Sequence, residues 1–387
     1  MRDLHLLPFM VLLFILPFPG TVALRLVCLA AAFLVAILLW RRFAPPPIPC
    51  KPALAAWVAV ALLSLPGAVD PAYSTGEIKN EILYTMMAFI AFFAVTRREE
   101  DLRKLLITLF AGAFTICVLA LESRARLGAW MDASTYGGRA SFVGYAVVLA
   151  PMLLLFGVLA GGRRLAAVAA LFLMVLVTAF FTQERIVWVT LFVQGALALL
   201  LLRAYGLSRL SPARLLTAVA LGAVLVGAVF YSVQDWRFKD NAAGSLSGDS
   251  RLGLWPGVAR QIADHPLAGA GFGRGVLAKV RPDLIPKENT LLSHAHNVFL
   301  NYGLGMGLPG MLALAWVFLG LLREYWRFCS APDEKLKLVG IAGIVLVVGV
   351  VLRNQVNDMF IRDQSMLFWA LSGMLLGLGG RLRLETH

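Results

Sequence analysis

Charge and cysteine are both scarce in this sequence: charged residues fill 15% of its 387 positions, and there are only four cysteines. A soluble domain carries about a quarter charged residues and about 45–50% apolar ones. Here 60% of residues are hydrophobic and the mean hydropathy is +0.80. So few thiols exclude a disulfide scaffold, the absence of a Gly-X-Y repeat excludes collagen, and the apolar content excludes disorder. The pair Asp-x-Asp, which commonly holds a metal against a diphosphate, occurs nowhere.

What the sequence has in abundance is long apolar runs. At about 20 residues per crossing, they resolve into twelve segments: 4–18, 21–40, 53–66, 81–96, 105–122, 141–160, 165–181, 186–202, 215–232, 297–322, 338–352 and 366–380. The fold implied is an all-α polytopic membrane protein with about twelve transmembrane helices. Residues 1–232 hold helices 1–9, residues 233–296 form one large, partly helical external loop, and residues 297–387 hold helices 10–12 and a short cytoplasmic C-terminus.

The net charge of +13 raises nucleic acid as a partner, but basic residues also orient membrane helices. With the N-terminus cytoplasmic, nineteen of the 35 Lys and Arg residues fall in the termini and loops of that side. The short outer loops hold eight and the long loop eight, while acidic residues divide 8 inside to 14 outside. This is the positive-inside pattern, and no nucleic-acid partner is expected. Residues 1–23 look superficially like a signal peptide, yet a second apolar run follows at once, so they read as an uncleaved first span. Cys28 and Cys117 fall in spans, and Cys50 and Cys329 in cytoplasmic loops, which leaves the outer face without a thiol.

In such a chain the informative residues are polar ones that the membrane does not explain. The loop 233–296 is too long to be a mere connection. Ser250 can cap a helix over 251–264, with Leu252, Leu254, Val258 and Ile262 along one side and Pro256 tolerated in its first turns. His265-Pro266 ends it. The next stretch, Gly269-Ala270-Gly271-Phe272-Gly273-Arg274-Gly275, places four glycines at alternate positions. Bare amides there could approach an anion closely, or the stretch is a plain flexible turn.

The loop closes on Ser293-His294-Ala295-His296-Asn297, which runs straight into the tenth span. These histidines can cap the helix, can form part of a metal site, or can supply a general base. A metal site lacks a nearby third ligand. A helix start disfavours a protonated imidazole, which suits the base. Three outer arginines accompany them: Arg139 before the sixth span, Arg185 in the short turn Thr182-Gln183-Glu184-Arg185, and Arg251 at the start of the loop helix. Each can simply reach lipid headgroups, but the guanidinium fork also matches phosphate oxygens in pairs.

The order Ser250-Arg251, Trp255, Asp264-His265-Pro266-Leu267, Gly269-Ala270-Gly271-Phe272-Gly273 and then His296-Asn297-x-Phe-Leu300 resembles the signature of the O-antigen ligase and polymerase superfamily. With twelve spans and the large loop between spans nine and ten, the resemblance covers nearly the whole chain, and the compact His294-Ala295-His296-Asn297 form is most similar to O-antigen ligase. It implies a GT-C-like integral-membrane glycosyltransferase of the bacterial inner membrane, both termini cytoplasmic and the site periplasmic. The donor implied is undecaprenyl-diphosphate-linked O-antigen, and the acceptor a sugar hydroxyl of lipid A–core oligosaccharide. Reaction by inversion, without metal or other cofactor, is implied as well.

By position, His296 is then the base, with His294 a second catalytic candidate. Arg185, Arg251 and Arg139 bind the donor diphosphate, and Asn297, Gly271, Gly273 and Arg274 support the site. The turn pair Glu184-Arg185 departs from the family's usual small residue before arginine. An O-antigen polymerase or a protein O-oligosaccharyltransferase would share the donor. A transporter or flippase would place polar groups near mid-membrane, and a purely structural subunit would leave the His/Arg cluster without a purpose.

Overall fold

The computed structural model describes residues 4–127, 138–160, 162–238, 250–285, 293–356 and 358–385. A 3-10 turn, Leu4–Leu6, leads into α1 (Leu7–Ile15), α2 (Val22–Arg42) and α3 (Lys51–Leu63). Then follow α4 (Pro71–Ile78), a π turn (Lys79–Leu83), α5 (Tyr84–Val95), α6 (Glu99–Leu127), α7 (Gly138–Ala160), α8 (Gly162–Thr182), α9 (Arg185–Ala204) and α10 (Pro212–Phe238). The loop carries α11 (Ser250–Asp264), α12 (Val276–Val280) and a 3-10 turn (Pro282–Leu284), and the chain ends in α13 (Val298–Cys329), α14 (Glu334–Arg353) and α15 (Arg362–Glu385). No strand occurs among the described residues.

Counting α4, the π turn and α5 as one, ten helices among the described residues are long and apolar enough to cross a membrane. Two shorter apolar helices, Leu4–Ile15 and Lys51–Leu63, complete the twelve expected segments. This is an all-α polytopic membrane protein. The fourth span begins at Pro71, ten residues before its apolar run, because Asp70 caps it by accepting from the Tyr73 amide at 2.9 Å. Its first turns are polar, so hydropathy alone does not reveal them. Similarly α10 runs on to Phe238, past the expected start of the loop.

Successive spans alternate in direction. At one end Arg25 of α2 pairs with Asp363 of α15, Val69 N donates to Ala270 O, and Val298 N donates to Asn354 O. At the other, Lys335 of α14 meets Glu99 of α6, and Arg381 of α15 donates to the carbonyls of Phe93 and Thr96 at the end of α5. The loop carrying the histidines therefore shares its end with the α8–α9 turn, while the Lys- and Arg-rich loops gather at the opposite end.

Packing is closest where side chains are smallest. A Cβ on Gly373 or Gly377 of α15 would lie 2.4 Å from the carbonyl oxygens of Phe89 and Phe93, so α5 and α15 meet backbone to backbone. Trp57 stacks on Trp369 at 5.5 Å beside this seam. Pro151 inside α7 has no N–H to give Val147. The orphaned carbonyl accepts instead from Gln194 Nε2 of α9 at 2.9 Å, and the same amide reaches Val345 O of α14 at 3.1 Å. A polar side chain in mid-bundle is thus explained by a proline one helix away.

Candidate active site

The site is built around a break in α13. Pro309 cannot donate to Gly305 O, and Gly307 leaves helical geometry at φ 67°, ψ −167°. The run 266–271 fills the gap. Leu308 N donates to Pro266 O at 2.7 Å, Ala270 N to Leu304 O at 2.9 Å, and Gly271 N to Gly305 O at 2.8 Å. The backbone groups released by the break are therefore satisfied by the loop, as a membrane setting demands. Only glycine permits such an approach: a Cβ on Gly269 would stand 2.4 Å from the Gly305 carbonyl carbon, and one on Gly307 2.5 Å from Pro266 O. Both also sit at positive φ, 62° and 67°.

The alternate glycines thus form a backbone seam. Two of the amides that an anion cradle would use, those of Ala270 and Gly271, are bonded to α13. A third, Gly275 N, donates to Tyr73 Oη of α4 at 2.7 Å, and Gly273 packs against Tyr73 and Glu77. The seam places Arg274 at its tip.

Asn297 starts α13. Its Oδ1 accepts from Leu300 N at 3.1 Å and its Nδ2 donates to Gln355 O at 3.1 Å, so one side chain caps the helix and ties it to the α14–α15 connection. His296, just before the cap, adopts φ 52°. That left-handed turn lays its ring against His294, with centroids 3.7 Å apart and planes inclined by 36°. Both imidazoles are buried, at 2% and 8% exposure. Between them Ala295 is held twice, its N donating to Asn301 Oδ1 at 2.9 Å and its O accepting from Trp255 Nε1 of α11 at 2.9 Å.

Arg274 Nη2 lies 3.4 Å from His294 Nδ1. Behind it, Arg274 shares a small cavity with Glu81, Asn301, Tyr302 and Asp358. Asp358 Oδ2 accepts from Asn301 Nδ2 at 2.7 Å and Oδ1 from Phe360 N at 2.8 Å. Burial pushes the Asp358 carboxyl above the usual range, against the opposing pull of Arg274 and of these hydrogen bonds.

The structure therefore brings His294, His296, Asn297, Gly271, Gly273 and Arg274 together. Arg185 opens α9 at the same end of the bundle, half-buried, its guanidinium 6.0 Å from the centre of the Phe230 ring. Arg139 and Arg251 belong to α7 and α11, but their side chains lie outside the described residues. Among the described residues, no group of three or more His, Cys, Asp or Glu side chains is placed to hold a metal ion. Sequence reasoning passed over Asn301, Glu81 and Asp358. The signal for Asp358 was the polar run Arg353-Asn354-Gln355 ahead of it, which no span needs; Glu81 sat at the edge of an apolar run and looked like its boundary.

Residues 149–315 match the family model described as O-antigen ligase, a stretch that takes in the second half of α7, α8 to α11, the glycine seam, both histidines and the break in α13. No curated protein is similar enough to count as a match. On the family match, the stretch 149–315 is similar to the O-antigen ligase family.

Proposed function

We propose that the protein transfers O-antigen glycan from undecaprenyl diphosphate to a sugar hydroxyl of lipid A–core oligosaccharide, at the periplasmic face of the bacterial inner membrane. The observation that carries this reading is the buried His294–His296 pair at the start of a broken membrane helix, in a chain whose residues 149–315 match the O-antigen ligase family. The surplus of Lys and Arg at the opposite end of the bundle supports placing the histidines outside, with both termini cytoplasmic.

In this reading the lipid tail of the donor lies among the spans and its diphosphate meets Arg185 and Arg251, with Arg139 beside them. The acceptor hydroxyl gives its proton to His296 as its oxygen bonds to the anomeric carbon. The bond from that carbon to the diphosphate breaks on the opposite face, so the configuration inverts once. Undecaprenyl diphosphate departs with the bonding electron pair, its charge held by guanidinium groups, and neither metal nor cofactor is required. Base catalysis of this kind contributes about 10²–10⁴ in rate, and electrostatic support of the leaving group about 10²–10³ per donor.

The test is purified protein with lipid-diphosphate glycan and rough lipopolysaccharide, with and without chelator. A laddered lipopolysaccharide formed despite chelation is expected, and His296→Ala should lower its turnover by about 10²–10⁴ while donor binding persists. A product extended only on the donor glycan would identify a polymerase. Arg251→Lys keeps the charge but loses the fork, and is expected to lose most activity; unchanged turnover would remove bidentate phosphate binding from the account.

A further inference from the structure

Two cavities lie at the end of the bundle opposite the histidines, and neither has a part in the proposed reaction. One of about 350 Å³ is enclosed by α6, α7, α8, α14 and α15, and one of about 440 Å³ by α6, α7 and α8. Arg103, Phe156 and Arg164 line both, so the two adjoin across the same side chains.

The charges of this cleft do not cancel. Its two carboxylates are taken: Glu99 pairs with Lys335, and Glu100 with Lys104 at 2.8 Å. Arg103 and Arg164 have no carboxylate partner among the described residues. The start of α8 adds to the surplus, since its first turn, Gly162-Arg163-Arg164-Leu165, holds no acidic residue against the positive end of the helix. A lone guanidinium at this level serves as an orientation signal and reaches out to headgroups. Two guanidinium groups from separate helices lining one cleft do more, because their forks match the oxygens of a phosphate in pairs.

Beyond the arginines the wall turns apolar along both helices. Arg103 is followed on α6 by Ile107 and Phe110, and Arg164 on α8 by Ala167, Val168 and Leu171, all lining the larger cavity. Steps of three and four keep each series on one helix face, and seven residues carry it about 10 Å into the bilayer. Both helices start at this end, so the two strips run in the same direction. Ile107 is 50% exposed, which leaves the strip open to lipid. A phosphate on acyl chains satisfies both parts of such a cleft. A soluble anion would leave the strip bare, and an uncharged or zwitterionic lipid would leave the arginines without a counter-charge.

We propose that the α6–α8 cleft binds an anionic glycerophospholipid of the leaflet on the Lys- and Arg-rich side, its phosphate held between Arg103 and Arg164 and an acyl chain along Ile107, Phe110, Val168 and Leu171. The site stands apart from the ligase reading and is tested without turnover. Delipidated full-length protein in detergent is melted with dioleoyl phosphatidylglycerol, dioleoyl phosphatidylcholine or glycerol 3-phosphate. Phosphatidylglycerol is expected to raise the melting temperature with its concentration, as a ligand of the folded state does, and the other two to leave it unchanged. A basic residue near the headgroups contributes about fivefold in affinity. Arg103→Gln/Arg164→Gln should therefore need roughly 25-fold more phosphatidylglycerol for the same shift.

Two further variants separate charge from shape. Arg209→Gln/Arg214→Gln removes two exposed charges from the same end and should respond as the wild type does. Ala167→Trp fills the apolar strip without altering the charge and should lose most of the shift. An equal shift with phosphatidylcholine, a shift that survives Arg103→Gln/Arg164→Gln, or an equal loss in Arg209→Gln/Arg214→Gln overturns the site. A shift with glycerol 3-phosphate that persists in Ala167→Trp would make the cleft a site for a soluble anion and overturn the lipid assignment.

Discussion

At the scale of single residues, the glycines around the α13 break have the least latitude. Gly269→Ala would drive a methyl into the Gly305 carbonyl from a backbone held at φ 62°. A loss of about 1–3 kcal/mol is expected, read as a lower melting temperature in detergent. Gly253 of α11, with nothing within 4 Å of its Cβ position, is the control: Gly253→Ala should be neutral or stabilising by up to about 1 kcal/mol on helix propensity. The sequence made these glycines conspicuous, but their partners, Gly305 and Gly307, lie in what reads as uninterrupted span. Spacing within the loop could not distinguish an anion cradle from a seam, because the deciding atoms belong to α13. His294, His296 and Asn297 were legible because polar residues crowd the start of a span. Asp358 and Asn301 were not, since each is one polar residue whose meaning lies in a contact 57 positions away.

Among elements, the bundle repeatedly pairs a helix defect with a side chain or loop elsewhere. Pro151 and Gln194 are the simplest case. Gln194→Leu strips the donor from Val147 O and is expected to cost about 1–2 kcal/mol. Pro151→Ala restores a helical N–H, so the double variant should recover the share owed to Val147, while the lost Val345 contact persists. Additive losses in the double-mutant cycle would show that the proline has nothing to do with the glutamine. The twelve segments themselves were readable from hydropathy, as was the loop helix from its periodicity. Hydropathy failed at the ends: it missed the polar first turns of α4, whose Asp70 cap and Tyr73 anchor the loop, because those residues face protein and not lipid.

For the whole molecule, the separation of the two ends is the property most exposed to test. Leu267 projects from the loop with 78% exposure, and Arg209 is exposed at the opposite end. In whole cells with a permeabilised outer membrane, an impermeant maleimide should label Leu267→Cys and leave Arg209→Cys untouched. The reverse pattern would invert the orientation and remove the periplasmic site. The loop is also tethered to the bundle by Lys279, which donates to Asp70 Oδ2 at 2.8 Å. Together with the Tyr73 amide, it holds the Asp70 carboxyl below the usual carboxylate range. A depressed folded value means the tether contributes fully above the unfolded pKa and is lost as pH falls through the folded one. Acidification should therefore loosen the loop, measured as faster proteolysis around α12, and Lys279→Gln should flatten that pH dependence.

The first turns of α13, from Val298 to Met306, are bonded at one end to Asn354 and at the other to the 266–271 run, and the break at Gly307 uncouples them from the remainder of the helix. Mechanically, the imidazoles ride with the 266–271 run and not with the helix beyond Gly307. An antibody fragment that clamps residues 266–275 would consequently immobilise both imidazoles, without making contact with any buried span.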